Sequence, residues 1–131
     1  MQDCKPMDTP LTTNWRKEDA SAREAIDVTI YIYLVGSLMY LVNTRPDICY
    51  AVNQLSQFMV KHTKLHWKAT KHVLRYLRGT TDFLLWYRRI DGVKLKGFTD
   101  VDWASSPANK KSTSGAIFSV GSTTIFWYSM L

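Results

Sequence analysis

One stretch of twenty residues, 61–80, constrains this chain more than any other. It holds Lys61, Lys64, Lys68, Lys71, Arg75 and Arg78 and no acid, so it carries +6, the net charge of the whole 131-residue protein. At about 100° per residue, Lys64, Lys68, Lys71, Arg75 and Arg78 fall on one narrow stripe. Ala69, Val73 and Leu77 fall on the opposite side, and Trp67 and Leu74 widen that apolar face. The spacing predicts an amphipathic helix that ends at Gly79, a residue suited to a left-handed cap. A charged stripe is ordinarily a solvated face. Five like charges at i, i+3 and i+4 repel one another, however, and weaken the helix that carries them. A phosphate backbone relieves that repulsion, so the pattern favours nucleic-acid binding through these five side chains.

The remaining composition sets boundaries. Hydrophobic residues make up 46% and charged residues 21%, which excludes wholesale disorder. Cys4 and Cys49 are too few for a disulfide framework or a cysteine metal cluster and suit a reducing compartment. The first residues place Asp3 and Pro6 where a secretory signal needs a basic start and an apolar stretch. The apolar run 28–42 falls short of the roughly 18 apolar residues of a membrane span, and Thr29, Gly36 and Ser37 interrupt it. The expectation is an intracellular protein, cytoplasmic or nuclear, with no membrane partner and with 28–42 as a buried helix.

Helical spacing predicts one helix over 26–42 and a second from Thr44, with Thr44 as N-cap, Pro46 in the first turn and Asp47 three residues on. Ile48, Ala51, Val52, Leu55, Phe58 and Met59 carry its apolar face. The basic helix is third. After Gly79 the period changes. The aromatic run 81–87 reads as a strand, residues 89–92 as an Asp-Gly turn and 93–100 as the returning strand. A polar loop follows at 104–111, then strands over 114–120 and 123–128 joined by Gly121-Ser122. Helices first and strands after predict an α+β fold, with about three helices followed by an incomplete antiparallel sheet.

Several motifs then occur in one order: Val35-Gly36-Ser37-Leu38-Met39-Tyr40-Leu41, Thr44-Arg45-Pro46-Asp47-Ile48, His66-Trp67-Lys68-Ala69 and Leu74-Arg75-Tyr76-Leu77-Arg78-Gly79-Thr80. Gly97-Phe98-Thr99-Asp100-Val101-Asp102-Trp103-Ala104 and Lys111-Ser112-Thr113-Ser114-Gly115 follow. Together they closely resemble the Pol polyprotein of copia-type LTR retrotransposons over nearly the whole chain. The resemblance implies a polar lead-in at 1–25 and a connection- or thumb-like helical segment of reverse transcriptase at 26–80. It implies the start of a ribonuclease H-like sheet at 81–131.

The family's chemistry is the cutting of RNA in an RNA–DNA hybrid by two magnesium ions held on a cluster of carboxylates. The resemblance places the first of these at Asp100, on the first strand of the sheet, with Asp102 expected in the turn beyond. No glutamate occurs after Glu24 and no adjacent Asp-Asp pair occurs anywhere. One aspartate does not hold two octahedral magnesium ions. The expectation is therefore a fragment truncated on both sides, with no catalysis and no cofactor of its own. Magnesium would belong to Asp100 only within a complete domain. The family pattern also carries arginine, proline and glycine where this chain has Ile32, His62 and Leu84, which reads as a drifting copy.

The expected partner is an RNA–DNA hybrid or a nucleic-acid duplex held weakly by its backbone. Self-association through the uncovered sheet is also expected, because Ile117, Phe118, Ile125, Phe126 and Trp127 lack covering helices. Two other readings carry less weight. Arg75-Tyr76-Leu77-Arg78 matches the Arg-x-Leu-Arg pattern of secreted effectors, although no signal peptide precedes it. His62, His66 and His72 have the spacing of a zinc pair with a neighbour but no local carboxylate or cysteine, and read as surface or half-buried histidines.

Overall fold

Three short apolar seams bring the helices together. The computed structural model describes residues 4–12, 15, 27–89, 92, 94–102 and 112–130. Helix α1 (Val28–Leu41) begins at Asp27, whose carboxylate accepts the Thr29 amide at 2.8 Å. Its buried side chains are Tyr31, Val35 and Leu38, a seam at i, i+4 and i+7. A short 3-10 turn (Pro46–Ile48) leads into α2 (Cys49–Ser56), which buries Ala51, Val52, Gln54 and Leu55. Helix α3 (Lys64–Gly79) buries His66, Ala69, Thr70, Val73 and Tyr76. The three seams, with Ile48 and Trp15, make a single cluster of buried residues. The Tyr31 hydroxyl, fully buried, donates to the Leu55 carbonyl at 3.0 Å and ties α1 to α2.

The chain then forms three antiparallel strands, β1 (Leu95–Asp102), β2 (Thr113–Val120) and β3 (Thr123–Met130), in the order β1-β2-β3. Register runs from Leu95 opposite Val120 to Asp102 opposite Thr113, and Ile117 faces both Phe98 and Trp127. A bulge at Phe118/Ser119 shifts the β2–β3 pairing. Gly121, at φ 62°, makes the turn between these strands as expected. The sheet rests on the helices through β3: the Trp127 indole donates to the Val42 carbonyl at 2.9 Å. Among the described residues, Ala116 is the only apolar side chain of the sheet that is buried. Ile117, Ile125 and Phe126 are exposed, while Phe118 and Trp127 are half-buried.

The α+β architecture follows the expectation, and five local readings are corrected. Residues 81–87 form no strand. Thr80 takes the Phe83 amide in a turn, and the continuous run Phe83-Leu84-Leu85-Trp86-Tyr87 has no period-2 alternation to give one face to a partner strand. Gly79 is not a left-handed cap; it is the last helical residue, capped by Thr80 at φ −132°. A Cβ at Gly79 would lie 2.9 Å from the Pro6 Cβ, so close packing explains the glycine. Thr44 is not an N-cap: its hydroxyl donates to the Leu41 carbonyl at the end of α1. Helix α1 is buried along one seam only, since Ile30, Tyr33, Met39 and Tyr40 face outward where no described element covers them. Asp102 belongs to β1 rather than to a turn. Asp91 and the loop 104–111 lie outside the described residues, as does most of the lead-in.

Candidate nucleic-acid interface

Helix α3 begins at a capping box that the sequence analysis does not anticipate. The Thr63 amide donates to His66 Nδ1 at 2.9 Å while the Thr63 side chain accepts from the His66 amide. A histidine in place of the usual Glu or Gln at the third position hides this signal. The same His66 ring stacks on Phe58 with centroids 3.9 Å apart and meets Trp15 edge-on at 5.9 Å. His62 stacks flat on Tyr31 at 4.5 Å. These histidines serve caps and packing, and among the described residues no three His, Cys, Asp or Glu side chains converge to hold a metal.

The predicted basic stripe exists, but its side chains are not alike. Lys68, Lys71 and Arg78 are exposed, and Lys64 and Arg75 are half-buried. The Lys71 ammonium lies 5.0 Å from the centroid of the Trp67 ring, a cation–π contact that fixes its direction. The N-terminal residues 4–12 run along the same helix as a strap. Arg75 Nε donates to the Lys5 carbonyl at 2.6 Å, Arg78 Nη1 to the Cys4 carbonyl at 2.8 Å, and His72 Nε2 meets the Thr9 carbonyl at 2.9 Å. Backbone carbonyls orient guanidinium groups without cancelling their charge. Between strap and helix lies a cleft of about 570 Å³ with Met7, Leu11, Trp15 and Leu65 on its walls and Lys68 and Arg75 on its rim.

The C-terminal end of α3 is pinned by a charged network. Arg45 donates to both oxygens of Asp47 at 2.9 and 2.7 Å and to the carbonyl and hydroxyl of Thr80 at 3.0 and 2.6 Å. The Tyr76 hydroxyl donates to Asp47 at 2.9 Å. Burial alone would raise the Asp47 pKa, but hydrogen bonds from Arg45 and Tyr76, with the Arg45 charge, hold it below its ordinary value. Burial and the hydrogen bond to Asp47 push the Tyr76 hydroxyl up. The Arg75-Tyr76-Leu77-Arg78 tetrad therefore lies inside a helix, with Tyr76 buried in this network.

Asp100 sits on β1 opposite Gly115, exposed, on the wall of a cleft of about 440 Å³ that also meets Cys49, Tyr50 and Trp127. Burial raises the Cys49 thiol pKa, against a backbone hydrogen bond from Ser129. Among the described residues no three His, Cys, Asp or Glu side chains converge at Asp100, and the basic stripe lies on a different element. A two-magnesium site does not fit the described residues.

Three helices, the last with a cationic face, joined to a three-stranded antiparallel sheet, define an α+β protein. No protein-family profile matches the chain, and no solved structure matches it significantly. Curated relatives do. The Pol polyprotein of transposon RE2 from Arabidopsis thaliana is 42% identical over 129 residues, covering 98% of this chain and 9% of the relative. The Pol polyprotein of transposon TNT 1-94 from Nicotiana tabacum is 39% identical over 138 aligned positions, 100% of this chain and 10% of the relative. A secreted RxLR effector protein 161 from Plasmopara viticola is 43% identical over 100 residues, 76% of this chain and 70% of that protein. The chain belongs to the copia-type, retrovirus-related Pol polyproteins of transposons and spans about a tenth of their length. Among the described residues, no helix is long and apolar enough to cross a membrane.

Proposed function

We propose that this chain is the part of a copia-type Pol polyprotein in which the last helices of the reverse transcriptase region meet the opening strands of the ribonuclease H region. Its own contribution is to hold the phosphate backbone of an RNA–DNA hybrid or duplex, without phosphodiester chemistry. The observation that carries this reading is the face of α3, where Lys68, Lys71 and Arg78 stand exposed beside half-buried Lys64 and Arg75 on a capped, anchored helix.

Fluorescence anisotropy of a labelled hybrid against salt concentration tests this. Three phosphate contacts give a log K against log salt slope of about −2.7 on a duplex, and all five about −4.5. The double variant Lys68→Glu, Lys71→Glu is expected to remove most of the binding. A slope near zero refutes the interface. Cleavage of the RNA strand, lost in Asp100→Asn, refutes the absence of catalysis. The exposed Phe126 and Ile125 of the sheet also favour weak self-association.

A further inference from the structure

The failed strand at 81–87 leaves a feature that α3 does not explain. Phe83, Leu84, Trp86 and Tyr87 are all exposed, Trp86 at 69% and Tyr87 at 66%, and Arg88 and Arg89 follow them, also exposed. Adjacent large aromatic rings left in water have no stabilising role in the fold. Yet the segment that carries them is held at both ends. At one end Arg45 lies 5.6 Å from the centroid of the Phe83 ring. At the other the Thr123 hydroxyl, at the start of β3, donates to the Trp86 carbonyl. Leu85 is half-buried between these anchors. A cleft of about 400 Å³ opens beside Trp86, walled by Leu84, Arg88, Ser122, Thr123 and Thr124.

We propose that Trp86 and Tyr87, with Arg88 and Arg89, form a stacking platform for single-stranded nucleic acid, separate from the duplex-binding face of α3. Aromatic faces next to guanidinium groups and hydroxyls are the chemistry a single strand offers partners for: exposed base faces and evenly spaced phosphates. A duplex offers its phosphates, sugars and groove edges but no free base faces, because these are already stacked. Trp, Tyr and Arg also anchor protein interfaces, so a protein contact is the competing outcome that the test below resolves. The tethering at Phe83 and Trp86 keeps the rings in place before a strand arrives, which lowers the ordering cost of binding.

The test uses the full chain, a labelled oligothymidylate and a labelled hairpin duplex of equal charge. Trp86→Ala and Tyr87→Ala are each expected to weaken the oligothymidylate about fivefold or more and to leave the duplex within about twofold. Trp86→Phe, which keeps a ring, is expected to retain most of the binding. Arg88→Ala with Arg89→Ala is expected to flatten the single-strand salt slope by about 1.4. Equal losses on both substrates, or no loss on either, overturn the platform. A change in sedimentation without a change in oligothymidylate binding overturns it in favour of a protein contact. Loss of duplex binding in the α3 variants with oligothymidylate binding intact separates this site from that interface.

Discussion

Replacing Arg45 by alanine is expected to be among the most damaging single changes to the helical unit. The guanidinium makes four hydrogen bonds, two to Asp47 and two to Thr80, and so joins the turn before α2 to the end of α3. Its side chain is 12% exposed and that of Asp47 28%, but Asp47 as a residue is exposed, so solvent screens part of the pair. Breaking a fully buried pair by removing one partner costs about 3–5 kcal/mol. The exposure of Asp47 and its remaining bond from Tyr76 bring the expected cost well below that, to about 1.5–2 kcal/mol. For a chain of this size that lowers Tm by about 5–10 °C, out of a total stability of about 5–15 kcal/mol. Arg45→Lys recovers only part, because an ammonium cannot make the paired bonds to Asp47 and reach Thr80 as well. The pH dependence has a definite sign. The folded-state pKa of Asp47 is depressed, so its contribution is present above the unfolded value near about 4 and is lost as pH falls through the folded value. Thermal melts from pH 7 down to about pH 2.5 are expected to show a flatter acid limb in Asp47→Asn than in the parent. An Arg45→Ala shift under about 3 °C, or identical acid limbs, refutes this account of the network.

Three further outcomes follow from single contacts. Tyr31→Phe keeps the ring packing and removes the bond to Leu55, at a cost of about 0.5–1.5 kcal/mol in urea unfolding. Burial pushes the Tyr31 pKa up to about 12, so the parent loses stability from pH about 10 to about 12 and the variant does not share this loss. Gly79→Ala puts a methyl group 2.9 Å from the Pro6 Cβ and displaces the strap; faster alkylation of Cys4, with Cys49 unchanged, is the expected reading, and an unchanged Cys4 rate refutes it. Gly97→Ala places a Cβ 2.8 Å from the Phe118 ring and forces that ring off β1. The expected loss is about 1–3 kcal/mol, measured by urea unfolding, and a neutral variant would show that the ring moves freely.

Periodicity and charge made the helices legible. Val35, Leu38, Ala51, Val52, Leu55, Ala69 and Val73 repeat at helical spacing, and the five cations repeat with them, because both patterns are local properties of a helix whatever packs on it. The last two strands and the Gly121 turn were legible for the same reason. The ordered motifs were enough to place the chain among copia-type Pol sequences. What failed depends on partners distant in sequence. Residues 81–87 have the composition of a strand, but a strand needs a neighbour, and β1 pairs with β2 instead. Gly79 has the composition of a cap, and Pro6, seventy-three residues earlier, is what requires it to be small. His66 resembles a metal ligand until Thr63 and Phe58 are seen around it. The five cations form one stripe by arithmetic, and only the strap's carbonyls distinguish Arg75 and Arg78 from Lys68 and Lys71. Spacing along the chain fixes which side chains share a face; which of those faces meets water, backbone or another ring is set by the packing of distant segments.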